Sequence, residues 1–116
     1  HANRKHRHHI FPQAQLKAHV SAKVYNSLCN ICFLVSSENL GIGMRLPRKY
    51  LQPLRDENKR AFYQVMRSHL IPAGADAGVW QSGVLRAFKQ FRQERLRLIC
   101  VAFEDKAGIR LFKRGG

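Results

Sequence analysis

The sequence predicts an all-α chain of about three helices, and three observations lead there. Apolar residues recur at helical spacing in three windows, residues 13–36, 53–70 and 79–97. Pro47, Pro53 and Pro72 and the glycine-bearing stretches fall between or at the edges of those windows, where helices start and stop. The length of 116 residues fits one domain, with or without an arm.

Residues 1–12 are polar and cationic and end at Pro12, so they read as a flexible basic arm ahead of a single small domain, 13–116. In the first window Leu16, Val20, Val24, Leu28 and Cys32 stand four residues apart, with Ile31 and Val35 beside them. Ser36, Ser37, Asn39, Gly41 and Gly43 end the pattern, and Pro47 and Pro53 bracket a connector. Pro53 suits the first turn of a second helix, whose apolar side is Leu54, Ala61, Phe62, Val65, Met66 and Leu70. Asp56 and Glu57 fall in its first turns, where negative charge suits the helix dipole, and Asp56 is spaced to meet Arg60 at i+4. Pro72 closes that helix and residues 73–78 form a loop. Trp80, Val84, Leu85, Phe88 and Phe91 mark the third helix, with Gly83 weakening its start. Leu98–Phe103 is an apolar run and Ile109–Phe112 a second, with a turn-like EDKAG between them. The tail 98–116 is therefore compatible with a hairpin, or with a helix end followed by an irregular docked tail.

Charge bounds the function. Twenty-one Lys and Arg face seven Asp and Glu, a net +14, and no acidic residue precedes Glu38. Such an excess costs self-repulsion and suits a chain held against RNA, an anionic membrane surface or acidic protein neighbours. The longest apolar-rich run, Leu28–Val35, is interrupted by Asn30 and falls far short of the ~20 residues a spanning helix needs. Peripheral membrane association stays open. The chain begins at His1 without an initiator Met, and Arg4, Lys5, Arg7, Lys17 and Lys23 precede any acid. That bias suits both residual transit-peptide character and a nucleic-acid-binding arm. An odd count of three cysteines, Cys29, Cys32 and Cys100, points to a reducing compartment.

Chemistry-bearing motifs are few. Cys29 and Cys32 form a C-x-x-C that reads as a packed, reduced, metal-free pair inside a helix, since zinc needs two more ligands and Cys100 is alone. His6, His8 and His9 read as part of the solvated arm. Gly41-Ile42-Gly43 lacks the strand and the third glycine of a nucleotide loop. His69 lies near a helix end, where capping or packing is its default role. The acids are scattered and no serine sits in a nucleophile elbow, so neither catalysis nor a cofactor is expected. The functional signal is basic. Arg45, Arg48, Lys49, Arg55, Lys59, Arg60 and Arg67 cluster around the second helix, and Arg86, Lys89, Arg92, Arg95 and Arg97 recur through the third. Arginine suits a bidentate grip on phosphate or carboxylate.

The segment from Arg45 to Pro72 carries a resemblance. RLP at 45–47 is followed after eleven residues by KRA at 59–61, then by Met66-Arg67 and Pro72, with Trp80 beyond and Tyr25-Asn26 before. This pattern resembles subunit 7 of mitochondrial ubiquinol–cytochrome c reductase, respiratory complex III, whose chain also ends in an arginine-rich helix like that around Arg92, Glu94 and Arg95. The family's acidic segment before RLP is missing, Trp80 sits several residues late, and the tail after Leu98 has no counterpart. The resemblance implies a non-catalytic α-helical subunit, peripheral on the matrix side of the inner mitochondrial membrane, against cytochrome b and the core subunits. Arg45, Lys59, Arg60, Arg67, Arg92 and Arg95 would contact partners or anionic lipid such as cardiolipin. The alternative is a mitochondrial ribosomal protein that binds rRNA through its basic faces, which composition by itself favours.

Overall fold

In the computed structural model, which describes residues 5–35 and 44–108, the chain is mostly helical with one small antiparallel sheet. The sheet is the departure from expectation. β1 (Lys5–His9) pairs with β2 (Ile31–Val35), from Lys5 opposite Val35 to His9 opposite Ile31. From Lys5 onward, the expected arm belongs to the fold.

Residues 13–36 do not form one helix. They form two single turns, α1 (Gln13–Leu16) and α2 (Ala22–Tyr25), then a 3₁₀ turn (Leu28–Asn30), then β2. Ser21 and Ser27 take extended backbone angles and break the run into turns. Val20, Val24, Ile31 and Val35 are β-branched and tolerate that break well. Asn30 explains why the break is stable. It is fully buried, its amide donates to the carbonyls of Phe11 (2.9 Å) and Tyr25 (2.9 Å), and its oxygen accepts from Phe11 N–H (2.8 Å). A continuous helix would have strung these groups apart and left a buried amide unpaired.

The Ile10 N–H donates to the Asn30 carbonyl at 2.8 Å, which makes that pair hydrogen-bonded and fixes the alternation along the ladder. The neighbouring pairs, His9 with Ile31 and Arg7 with Phe33, therefore turn their backbone groups outward. On β2 the Ile31 carbonyl faces away from β1. On β1 the groups of Arg7 and His9 face the side away from β2, where no described strand pairs with them.

The second expected helix starts earlier and is two helices. Pro47 occupies the first turn of α3 (Pro47–Glu57) and Pro53 lies inside it. Asn58 (φ −156°, ψ 93°) ends α3 and caps α4 (Lys59–Ser68) by accepting from Ala61 N–H at 3.0 Å. The third helix, α5 (Val84–Ala107), opens after Gly83 (φ 80°) and closes at left-handed Gly108 (φ 69°). Residues 98–107 thus continue the helix and no hairpin turn lies at EDKAG; the second apolar run, 109–112, lies outside the described residues, as does Gly41-Ile42-Gly43. Between α4 and α5 a 3₁₀ turn (Gly78–Trp80) lies directly on α5. A Cβ on Gly78 would stand 2.4 Å from the Phe91 nitrogen and 2.8 Å from the Ala87 oxygen, so only glycine permits this approach.

The core draws on every described region. Phe11 stacks edge-on against Phe88 (ring centroids 5.5 Å apart) and tilts against Phe91 (5.1 Å). Leu16, Leu51, Phe62, Met66 and Val79 complete the cluster. Tyr50 on α3 donates its hydroxyl to the Ile10 carbonyl at 2.5 Å, tying α3 to the strand side.

Burial, and secondarily the Cys32 thiol, holds the Tyr50 phenol well above its ordinary value. An unfolded tyrosine ionises near pH ~10. The folded state keeps its proton there, so stability falls as pH rises past that value. Urea denaturation across pH 8–11 should show this alkaline loss, and Tyr50→Phe should remove much of the slope while lowering stability at neutral pH by about 1 kcal/mol.

Candidate functional site

The cations expected to make contacts divide into two groups. Arg45, Lys59, Arg60, Arg67 and Arg92 are exposed. Arg95 is not: it is 5% exposed and turned into the fold. The correction follows from helix geometry, since Arg95 stands four and seven residues beyond Phe91 and Phe88, both fully buried on the inner face of α5. That placement was readable from the spacing alone.

Arg95 spends its donors on backbone carbonyls. Nε donates to Leu70 (3.2 Å) and Nη2 to His69 (3.1 Å) at the end of α4. Nη1 is shared among Ile31 (2.5 Å), Cys29 (3.2 Å) and Leu28 (3.3 Å) at the start of β2. The Ile31 carbonyl is the one that the ladder turns outward. Leu70 has φ +56°, a left-handed conformation that a leucine adopts at a cost of roughly 1–2 kcal/mol. Ile71 N–H bonds back to the Met66 carbonyl at 2.8 Å, the close of a Schellman-type end, and the Leu70 carbonyl is delivered to Arg95. Burial lowers the Arg95 pKa from its ordinary value, while the Cys32 and Cys29 thiols act in the opposite direction. A guanidinium is not deprotonated in proteins, so Arg95 stays charged.

Cys29 and Cys32 are buried, but at the junction of a 3₁₀ turn and a strand, not inside a helix. Among the described residues no group of three or more His, Cys, Asp or Glu is gathered for a metal. His69 ends α4 and gives its carbonyl to Arg95. Glu94, within the arginine-rich stretch, is a clamp: its carboxylate accepts from Gly78 N–H (2.8 Å) and from Gln90 Nε2 (3.2 Å).

Asp56 does not pair with Arg60. Asn58 breaks the helix between them, and Asp56 lies 3.6 Å from Arg55 Nε instead. The Arg55 guanidinium also stacks 4.3 Å over Trp80, joining α3 to the 3₁₀ turn before α5.

The exposed cations follow the outer helix faces. Phe62 and Met66 point inward from α4, so Arg60, Gln64 and Arg67 share its solvent side. Ala61 and Val65, expected on the apolar side, are exposed as well, Val65 at 39%. Arg67 also stands at the rim of an apolar groove of about 440 Å³ lined by Tyr63, Met66, Leu70, Ile71 and Leu98. On α5, Arg86, Lys89, Gln93 and Arg97 run at steps of three and four along the exposed side. No described helix is long and apolar enough to cross a membrane.

Compared with protein-family models, curated proteins and solved structures, the chain matches none.

Replacing Arg95 by methionine removes the donors of five carbonyls and should cost about 3 kcal/mol or more in urea unfolding. Arg95→Lys should recover only part of that loss, because one ammonium cannot span both carbonyl groups. Arg92→Ala, on the exposed side, should stay within roughly 0.5 kcal/mol of the parent.

Proposed function

We propose that the chain is a non-catalytic accessory subunit that docks on a large assembly through the cationic outer faces of α4 and α5. The observation that carries this reading is the sorting of the arginines. Arg95 is spent inside the fold, whereas Arg60 and Arg67 on α4 and Arg86, Lys89 and Arg97 on α5 stand in register on exposed faces. Exposed arginines add little to the stability of the chain that carries them, but gain when a fixed carboxylate or phosphate meets them.

The assembly we propose is ubiquinol–cytochrome c reductase, with the chain in the place of its subunit 7. The matched segment supports this reading through its breaks. Leu46 and Pro47 of RLP open α3, Lys59 of KRA opens α4 immediately after Asn58, and Pro72 follows the end of α4. RLP and KRA thus fall at helix starts, while Met66-Arg67 lies in the last turn of α4 and Pro72 follows its end at Ser68 by four residues. In this reading the chain is peripheral on the matrix side of the inner mitochondrial membrane. Its outer faces meet cytochrome b, the core subunits or cardiolipin head groups. Arg67, at the rim of an apolar groove, suits an anionic lipid with an acyl chain.

The second reading, a mitochondrial ribosomal protein, rests on a different observation. Exposed cations are not confined to α4 and α5: Arg7, Lys17, Lys23, Arg45 and Lys49 extend them over the N-terminal half. A distributed positive surface is what rRNA backbone phosphates select.

Arg60→Ala combined with Arg67→Ala separates the readings. Helix content by circular dichroism should be unchanged. Binding to the assembly should weaken by about tenfold or more if these arginines meet fixed charges there. Complex III on blue-native gels should then fall while ribosome profiles stay intact; the ribosomal reading expects the reverse. Normal incorporation into both would leave these residues as a solvated face and end the argument from the matched segment.

A further inference from the structure

A second cationic concavity lies on the N-terminal side, apart from the faces of α4 and α5. Where β1 runs into α1, Arg7, His8, His9, Gln13, Lys17 and Met44 line an open concavity of about 440 Å³, with Pro12 and Ala14 on its wall. No Asp or Glu is among the described residues that line it. Arg7 and Lys17 are exposed at its mouth, and His8 and His9 are half-buried.

The pocket is a constructed feature of the fold. Gln15 donates to the Met44 carbonyl at 2.8 Å, which holds the Met44 wall against α1. The His9 ring is fixed by an edge contact with Tyr25 (centroids 6.2 Å apart) and by its Nε2 at 2.7 Å from Asn26 Oδ1. The ladder register turns the N–H groups of Arg7 and His9 to the side of β1 away from β2. Arg7 and His9 stand on one face of β1, two residues apart, and Lys17 lines the same concavity from beyond α1. Such a set matches the several acceptor oxygens and the double charge of a phosphate group, for which arginine supplies a bidentate fork. Pro12, Ala14 and Met44 give the same pocket an apolar side for the organic part of the ligand.

We propose that this pocket is a binding site for a phosphate-bearing ligand, its phosphate held by Arg7 and Lys17 beside His9. The ligand is a soluble organic phosphate or a phospholipid head group, and the same chemistry serves both. This site stands independently of the docking reading, because it uses none of the residues on α4 or α5.

The test is a titration of the full chain with inorganic pyrophosphate, followed by amide chemical shifts and by calorimetry. Saturable binding is expected, with shifts centred on Arg7, His9, Lys17 and Met44. Arg7→Gln combined with Lys17→Gln should weaken it by roughly tenfold or more. Arg60→Gln combined with Arg67→Gln, which removes the same charge elsewhere, should leave it within about twofold, while Arg7→Lys should restore part of the affinity. Circular dichroism and unchanged shifts in the α5 amides establish that each variant is folded. Sedimentation with vesicles containing phosphatidic acid identifies the source. Co-sedimentation that pyrophosphate competes away assigns the site to a lipid head group; pyrophosphate binding without co-sedimentation assigns it to a soluble phosphate. Equal losses in the two double variants, or shifts spread over α4 and α5, would mean non-specific charge attraction and overturn the proposal. So would the absence of saturation.

Discussion

The structure depends on keeping one positive charge inside the protein. The Arg95 guanidinium can leave water only if its donors are met, and here they are met by carbonyls from two distant stretches, Leu28 to Ile31 and His69 to Leu70. That requirement shapes what surrounds it. It covers the outer edge of β2 at Ile31, which a two-stranded sheet would otherwise expose. It also takes up the carbonyls at the end of α4, which helix geometry leaves without partners. The left-handed Leu70 is the local strain that accompanies this arrangement. Asn30 plays the matching part on the opposite side of β2, saturating the Phe11 backbone and closing the 3₁₀ turn from which Arg95 draws its Leu28 and Cys29 carbonyls. Remove the charge and three segments lose their common anchor together.

The same accounting gives the surface its meaning. A chain of net charge +14 that consumes one arginine internally still presents many cations to solvent, and repulsion among them opposes folding. An anionic partner relieves that repulsion. On α4 and α5 the cations lie along exposed helix faces, the form that suits docking against a large acidic or lipid surface. Around β1 and α1 they line a concavity, the form that suits a compact anion. The extended helix faces and the pocket differ in shape, and shape decides what each can hold.

Much of the helical half was legible in the sequence. The inward positions of Phe62, Met66, Phe88 and Phe91 follow from their spacing. The first-turn proline was misplaced: it is Pro47, expected in a connector, whereas Pro53, expected there, lies inside α3. The N-terminal half was not legible for a physical reason. Leu16, Val20 and Val24 keep four-residue spacing through two single turns, so the pattern imitates a helix that the extended Ser21 and Ser27 interrupt. The pairing of His8 with Cys32 joins residues far apart in sequence, and no local period encodes it. At the other end, EDKAG resembles a turn, yet Gly108 terminates the helix only after Asp105 and Lys106 have joined it. Among the candidate contact residues, Arg95 alone turned inward, and it shares the face of Phe88 and Phe91. A charged residue at a core position of an amphipathic helix was the signal available.

The central claim, that Arg95 is a charged internal anchor, is tested most directly by hydrogen exchange at its side chain. In ¹⁵N-resolved spectra at neutral pH, the Arg95 Nε–H should appear as a distinct signal. It should exchange as slowly as the most protected amides of α5 and β2, because only global unfolding frees it. Rapid exchange at the rate of the exposed Arg60 and Arg92 guanidinium groups, with β2 and α5 amides still protected, would contradict the account.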